Sequence, residues 1–147
     1  MRFLLIFLFV LGGLLAGYAS ASDNSRVSLE ISGHSLSAEV AHTQWSRSQG
    51  LMYRESLEEN TGMLFVFVDA NYYSMWMKDT YIPLSVAFID EQGTILNIED
   101  MQPDTRTAHD SEGMAKYALE MKQGWFAARK ISAGARVIGL EKAPAAE

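Results

Sequence analysis

The stretch GLMYRESLEENTGMLFVFVDANYYSMWMKDTYIPLSVAFID, residues 50–90, carries most of the information about the fold of this chain. Its two most apolar runs, residues 62–68 and 84–89, have the length of buried β-strands. One short polar island, Lys78-Asp79-Thr80, interrupts the aromatic and methionine residues between them. Such an island is expected in a loop, so the pattern predicts two buried strands with a polar rim between them.

Short strands separated by turns extend on both sides of this stretch. Residues 27–31 and 36–40 alternate apolar with polar side chains around a turn at Gly33-His34, which predicts a β-hairpin. Thr43 as an N-cap and Gly50 as a terminator predict a short helix. Further strands are predicted at residues 72–78, 94–98, 116–121 and 135–140, and a second short helix within residues 125–131. About eight strands with few helices predict a mainly β fold, a single small antiparallel β-barrel or β-sandwich.

Two tryptophans are predicted to attach the short helices to the sheet. Trp45 lies on the first helix, which has an amphipathic pattern, and Trp125 follows Gly124 at the start of the second. We expect both indole rings to be packed against the sheet, because large apolar side chains are usually what holds a short helix in place.

Residues 1–21 have the features of a secretory signal peptide. Arg2 precedes an apolar run at residues 3–16, and Ala19-Ser20-Ala21 fits the small-residue cleavage pattern. The run of 14 residues is shorter than the roughly 20 that span a bilayer. We predict a periplasmic or secreted mature chain without a membrane span, with one domain at residues 22–142 and a disordered tail at residues 143–147. An uncleaved N-terminal anchor is the alternative.

The composition disfavours several classes of protein. The chain has 12 Lys and Arg against 18 Asp and Glu, and removal of Arg2 with the signal peptide changes the net charge from −6 to −7 with His neutral. The basic residues are scattered, so no stripe is available for a phosphate backbone, and we expect no nucleic-acid partner. The chain has no Cys, which excludes disulfides, thiolate metal ligands and a thiol nucleophile.

The polar island is the first candidate for a binding site. Lys78, Asp79 and Thr80, together with Arg54 in a predicted turn, have the charges and the hydroxyl that bind an anionic or hydroxyl-rich ligand. Trp76 has polar neighbours on its own strand face, so it is predicted to line a groove. The alternative is structural: Lys78 and Asp79 pair with each other, and Thr80 caps the turn.

Glu120 is a further candidate for ligand binding. It lies in a predicted strand between Leu119 and Met121, so alternation places its side chain on the face opposite both. Two other interpretations stay open. The carboxylate faces solvent, or it pairs with Lys or Arg across the strand.

Met75 and Met77 suggest a metal site as an alternative function. Their spacing puts two thioethers on one strand face, and soft thioether ligands select Cu(I). No His follows at close spacing, and methionines also fill irregular gaps in a core. We therefore predict no bound cofactor and keep Cu(I) handling by Met75 and Met77 as the alternative.

Hydrolysis of cell-envelope material is a second alternative. His109, Asp110 and Ser111 are adjacent in a predicted loop, but sequence neighbours seldom point at one another. The G-x-S-x-G motif of α/β-hydrolases is absent from the sequence. We assign no catalytic residue, and the sequence favours a protein that is not an enzyme.

Spaced motifs run through nearly the whole predicted mature chain. They are Gly50-Leu51-Met52 with Arg54, Gly62-Met63-Leu64-Phe65 with Phe67, Trp76-Met77-Lys78-Asp79-Thr80, Ile82-Pro83-Leu84, Phe88-Ile89-Asp90, Leu119-Glu120 and Gly124. This set resembles the DUF192 domain of unknown function, also called the UPF0127 family, over about residues 27–140. The resemblance implies a compact, β-rich domain, commonly exported in bacteria, with no established activity. The family usually has Asn where this chain has Asp79, and often Asp where it has Ser85, which implies an altered charge arrangement in any polar site at those positions.

The sequence as a whole predicts an exported, monomeric β domain that acts as a binding or accessory module. Its predicted partner is an unknown small ligand or an envelope protein, bound in a cleft near the polar island. The ligand-binding candidates are Arg54, Trp76, Lys78, Asp79, Thr80 and Glu120.

Overall fold

The computed structural model describes residues 25–147, so the predicted signal peptide at residues 1–21 lies outside the described residues. The described chain contains nine β-strands and three short helices. The strands are β1 (Arg26–Ile31), β2 (His34–Ala41), β3 (Thr61–Asn71), β4 (Ser74–Met75), β5 (Leu84–Ile89), β6 (Ile95–Met101), β7 (His109–Asp110), β8 (Ala115–Lys122) and β9 (Val137–Ile138). The helices are α1 (Gln44–Gln49), α2 (Trp125–Ala128) and a 3₁₀-helix (Leu140–Lys142).

Seven strands form one curled sheet, a half-barrel, in the order β6-β5-β8-β3-β2-β1-β9. Strands β4 and β7 form a separate antiparallel pair. The predicted mainly β fold class is confirmed. Among the described strand pairs, β2 and β3 run parallel, and the others are antiparallel. Parallel neighbours need a crossover connection, and α1 with the loop after it supplies one.

Local sequence signals determine the first hairpin and the first helix. Ser32 and Gly33, with φ angles of 50° and 79°, make the tight turn between β1 and β2. The Thr43 hydroxyl accepts a hydrogen bond from Ser46 N at 3.0 Å, which closes a capping box at the start of α1. Gly50, with φ of 48°, ends the helix. Both predicted boundaries of α1 are confirmed.

The centre of the curled sheet is buried on both faces. One core cluster, which includes Leu64 and Leu119, covers one face, and a second cluster, which includes Phe65 and Phe88, covers the other. All six residues of β5 are buried. A side chain at the centre of the sheet is therefore removed from bulk solvent whichever face it takes.

The two helix tryptophans have different surroundings. Trp125 is buried, and its indole N–H donates to Asn60 Oδ1 at 3.0 Å, so its predicted packing is confirmed. The prediction for Trp45 is wrong, because this residue is 75% exposed. The physical reason is that α1 has no buried residue and is held instead by the Thr43 cap and by hydrogen bonds of Arg47.

The C-terminal residues contact the start of α1. The Glu147 N–H donates to His42 O at 2.8 Å, and Arg47 Nη2 donates to Glu147 O at 2.9 Å. These contacts connect the end of the 143–147 segment, for which the sequence predicts disorder, to the main body of the domain. Within residues 25–147, none of the helices is both long and apolar enough to cross a membrane.

Candidate functional site

A cavity of about 400 Å³ lies between α1, residues 73–76 and the sheet face formed by β3 and β8. Its volume is within the range of small-molecule sites, roughly 300–1,000 Å³. We call it the Glu120 cavity. Its lining residues are Gln44, Arg47, Ser48 and Gln49 of α1, residues 50–52 after the helix, Phe65, Phe67 and Glu120 of the sheet, and Tyr73, Ser74, Met75, Trp76 and Thr80.

Glu120 lies on β8, an interior strand of the curled sheet. In β8 it stands opposite Met63 of β3 and Val86 of β5, on the sheet face opposite Leu119 and Met121. Glu120 is 4% exposed, and its carboxyl group has no hydrogen bond or ion pair within residues 25–147. Burial raises the pKa of this carboxyl from 4.5 to about 8, because desolvation disfavours the charged form. The carboxyl therefore does not face bulk solvent, and it pairs with no basic residue among residues 25–147.

Aromatic side chains form much of the cavity wall. Phe67 and Tyr73 stack with 3.7 Å between ring centroids and an interplanar angle of 13°. The Tyr73 hydroxyl donates to Asp69 O at 2.7 Å, which fixes the orientation of this ring. Phe65 and the half-exposed Trp76 also border the cavity. A molecule in the cavity would therefore contact aromatic carbon.

Arg47 is the basic residue of the cavity wall. Its guanidinium donates to three backbone carbonyls, those of His42, Val66 (3.1 Å) and Glu147 (2.9 Å). These neutral acceptors hold the side chain in place but do not cancel its charge. The positive charge of Arg47 lowers the pKa of Tyr73, against the larger effect of burial, which raises it. Arg47 therefore contributes positive charge at the α1 side of the cavity.

The three residues of the polar island have different positions: Thr80 borders the cavity, whereas Lys78 and Asp79 do not. Thr80 borders the cavity, and its hydroxyl donates to Lys78 O at 3.0 Å. Lys78 and Asp79 lie outside the cavity lining, with Lys78 Nζ 4.0 Å from Asp79 Oδ2 and 5.8 Å from the Trp76 ring centroid. Asp79 has a φ of 51°, its carbonyl accepts from Tyr53 N at 2.8 Å, and its carboxylate accepts from the Tyr53 hydroxyl at 3.2 Å. Asp79 thus joins the island to the turn after α1.

Arg54 lies outside the cavity lining and contacts β2 instead. Its guanidinium donates two hydrogen bonds to the Glu39 carboxylate, at 2.6 and 3.2 Å. Glu39 is 4% exposed, so the pair is largely shielded on the carboxylate side. The structure therefore brings Trp76, Thr80 and Glu120 to one cavity and places Arg54, Lys78 and Asp79 in structural contacts.

The two methionines predicted as Cu(I) ligands occupy different positions. Met75 borders the Glu120 cavity, whereas Met77 is fully buried in the core. Met75 also stands opposite His109 across the β4–β7 pair, and His109 Nε2 is buried without a hydrogen-bond partner in the described chain. Cu(I) binding by Met75 and Met77 stays a prediction. His109, although distant in sequence, is a neighbour of Met75 in the folded chain.

His109, Asp110 and Ser111 make separate contacts. The Asp110 carboxylate accepts a hydrogen bond from Ser74 Oγ, and Ser111 Oγ accepts one from Tyr73 N at 3.0 Å. Envelope hydrolysis stays a prediction, for which labelling by a fluorophosphonate probe is the test. Over residues 25–147, no cluster of three or more His, Asp or Glu side chains is arranged to hold a metal ion.

Several cavity residues have no clear signal in the sequence. Alternation along β3 places Phe65 and Phe67 on one face, but it does not show what lies opposite them. Tyr73 and Arg47 reach the cavity from segments that pack together only in the folded chain. The positions of α1 and of residues 73–76 over the sheet depend on tertiary contacts, which single-strand patterns do not encode.

The curled sheet and its cavity define a small, mainly β domain with a candidate ligand site on the face of β3 and β8 that carries Phe65, Phe67 and Glu120. The chain belongs to the DUF192 family, described as "Uncharacterized ACR, COG1430", which it matches over residues 27–139. No curated protein is significantly similar to it.

Two solved structures resemble the fold over most of their length. One, from Sinorhizobium meliloti 1021 and described as a "putative transcription regulator", is 34% identical with a TM-score of 0.77, and the match covers 80% of this chain and 96% of the other. The second is a protein of unknown function from Novosphingobium aromaticivorans DSM 12444. It is 28% identical with a TM-score of 0.76, and the match covers 80% and 88% of the two chains. These likenesses support the family and the fold.

Proposed function

We propose that this protein is an exported, non-catalytic binding or accessory module that holds a small ligand in the Glu120 cavity. The observation that carries the proposal is the Glu120 carboxyl, which is 4% exposed, borders the cavity and has no partner within residues 25–147. A buried polar group without a partner costs about 1–3 kcal/mol. A bound ligand that pairs with the carboxyl would recover this cost.

The surroundings of the carboxyl also support a binding role. Burial raises the pKa of Glu120 to about 8, and ionisable groups with perturbed pKa values are concentrated at functional sites. The rings of Phe67, Tyr73 and Trp76 supply apolar surface, and Thr80 supplies a hydroxyl. Apolar walls with a few convergent polar groups are the usual composition of small-molecule sites.

The proposed partner is a small ligand or an envelope protein. Export enters the proposal because residues 1–21 have the pattern of a cleavable signal peptide. The description of the Sinorhizobium meliloti protein points towards nucleic acid, but this chain has 18 acidic against 12 basic residues. That balance disfavours contact with a phosphate backbone.

Native mass spectrometry of the protein isolated from its export compartment tests the proposal. A bound ligand appears as excess mass that disappears when the same sample is denatured. Trp76→Ala removes a ring from the cavity wall and should lower the bound fraction. Trp45→Ala removes a more exposed tryptophan outside the lining and should leave the bound fraction unchanged. A bare native mass, or an equal loss in both variants, would contradict binding in this cavity.

Cu(I) binding is a second candidate, favoured by the position of Met75 opposite His109. Directly opposed residues of an antiparallel pair have Cβ atoms roughly 4.5–5.5 Å apart, and thioether and imidazole groups both suit copper. We expect stoichiometric Cu(I) uptake that is lost in Met75→Leu, a substitution that nearly conserves volume. Loss in Met77→Leu as well would favour the Met75–Met77 pair over the Met75–His109 pair. Unchanged uptake in Met75→Leu would remove this candidate.

A further inference from the structure

The Glu120 cavity combines several aromatic rings with a carboxyl that has no partner in the described part of the chain, residues 25–147. Four aromatic residues contribute to the lining: Phe65, Phe67, Tyr73 and Trp76. The face of an aromatic ring carries partial negative charge and attracts cations, including ammonium groups. A carboxylate and aromatic faces in one cavity therefore favour the same kind of ligand group.

We propose that the Glu120 cavity binds a small molecule through an alkylammonium group, which donates hydrogen bonds to the Glu120 carboxylate and lies against the aromatic wall. The inference rests on the proposed binding function and adds the chemical class of the ligand. An ammonium group supplies both the N–H donors that the carboxylate lacks and the positive charge that ring faces attract. A neutral alcohol supplies a donor without the charge.

A contact within the chain illustrates this affinity. Lys78 Nζ lies 5.8 Å from the centroid of the Trp76 ring, within the usual range of a cation–π interaction. Trp76 is also half-exposed and borders the cavity, so its ring is accessible from the side of the ligand. The same side chain that attracts the ammonium of Lys78 is available to a bound one.

The charged groups near Glu120 bear on whether its carboxylate can bind a cation. Neither of its cross-strand neighbours, Met63 of β3 and Val86 of β5, carries a charge. The other charged or titratable lining groups within residues 25–147 are Arg47 of α1 and Tyr73. Arg47 is held by three backbone carbonyls, and its charge acts on the pKa of Tyr73, whereas burial is the cause that shifts Glu120. Burial, rather than the charge of Arg47, is therefore what shifts the pKa of Glu120.

Ligand binding should depend on pH in a defined direction. Burial raises the pKa of Glu120 to about 8, so the carboxyl is mostly neutral below that pH and must lose its proton to pair with an ammonium group. A simple alkylamine, like Lys, stays charged up to about pH 10.4. Affinity should therefore increase with pH and level off above pH 8, with a change of about 100-fold between pH 6 and pH 9.

A pair of probes of nearly the same shape tests the inference. Butylammonium and 1-butanol differ mainly in charge, and both are titrated into the purified protein while NMR shifts of the cavity residues are recorded at pH 6, 7.5 and 9. Butylammonium should bind more tightly than 1-butanol and should strengthen with pH, while 1-butanol should not. Glu120→Gln keeps the shape of the side chain but removes its charge, so it should abolish the pH dependence and leave only the smaller preference that the aromatic rings supply.

A second variant keeps the test independent of changes at Glu120. Trp76→Leu retains an apolar side chain and removes the ring face, so it should weaken butylammonium about two- to fivefold and leave 1-butanol unaffected. Equal, pH-independent binding of the two probes would overturn the ammonium inference and leave the proposed binding site intact. Absence of cavity shifts with either probe would also overturn it, while the bound mass in native spectra decides the proposed function separately.

Discussion

Arg54 holds the buried Glu39 carboxylate with two hydrogen bonds, of 2.6 and 3.2 Å, across the space between β2 and the loop after α1. The contact explains why a residue with the chemistry of a ligand-binding group does not border the cavity. Its guanidinium satisfies a carboxylate that the parallel β2–β3 pairing removes from solvent.

Arg54→Met should lower the free energy of unfolding by about 1–3 kcal/mol, because it leaves the Glu39 carboxylate buried without its partner. The double variant Arg54→Met, Glu39→Leu should recover much of this loss, since no unpaired charge remains. Urea unfolding of the two single variants and the double variant measures the coupling. Purely additive losses, or reduced ligand binding in a stable Arg54→Met variant, would contradict a structural role.

Asp79 should tolerate substitution according to backbone conformation. Its φ of 51° lies in the left-handed region, which Asn and Gly adopt readily and residues such as Ala do not. Asp79→Asn should therefore retain the stability of the parent, whereas Asp79→Ala should lose about 1 kcal/mol relative to Asp79→Gly. Thermal unfolding compares Ala and Gly directly, because both lack the acceptor for the Tyr53 hydroxyl. Equal stability of these two variants would contradict the conformational explanation.

Gly62 should be intolerant of a side chain. A Cβ atom at this position would overlap the carbonyl of Glu120 and the sulfur of Met121 on the neighbouring strand. Gly62→Ala should therefore destabilise the domain by about 1–3 kcal/mol through overpacking. Gly113→Ala is the control, since its Cβ would meet the end of the flexible Leu96 side chain at 3.2 Å. Equal effects of the two substitutions in urea unfolding would refute this account of Gly62.

The stability of the protein should depend on pH through Glu120. The folded carboxyl holds its proton up to its pKa of about 8, while the unfolded carboxyl releases it near 4.5. Between these values the free energy of unfolding should fall as pH rises, by up to about 1.4 kcal/mol per unit, and it should level off outside them. Glu120→Gln removes this slope, so its stability relative to the parent should increase from pH 5 to pH 8.

The matched control for this prediction is Glu30→Gln, an exposed glutamate in β1. Its pH profile of stability should follow that of the parent. A parent profile parallel to that of Glu120→Gln over the same range would show that the carboxyl ionises normally in the folded state.

Local patterns account for most of the strands and for the first helix. The alternation at residues 27–31, the apolar run at residues 84–89 and the Thr43 and Gly50 boundaries are properties of short segments, and each matches the structure. The alternating run at residues 72–78 forms only the two-residue strand β4, and the chain turns at Lys78 and Asp79 shortly after it. The parallel pairing of β2 and β3 depends on tertiary contacts and has no local signal.

The sequence likewise predicts only the part of the candidate site that depends on residue type and local pattern. Trp76, Thr80 and Glu120 are identified by residue type and by strand alternation, and they meet at one cavity. Arg54 has suitable chemistry, but its partner Glu39 lies 15 positions earlier, on a strand whose position relative to the loop the sequence does not give. The burial of Glu120 follows from the interior position of β8 between β5 and β3, which alternation within one strand cannot reveal.

The most direct test of the account is the ionisation of Glu120 itself, followed by ¹³C NMR of its side-chain carboxyl carbon during a pH titration of the unliganded protein. Comparison with Glu120→Gln assigns the resonance. We predict an apparent pKa of about 8, which falls when butylammonium is added. An apparent pKa near 4.5 in the unliganded protein would contradict this prediction. The carboxyl would then already be hydrated or paired, and it would not need a ligand to satisfy it.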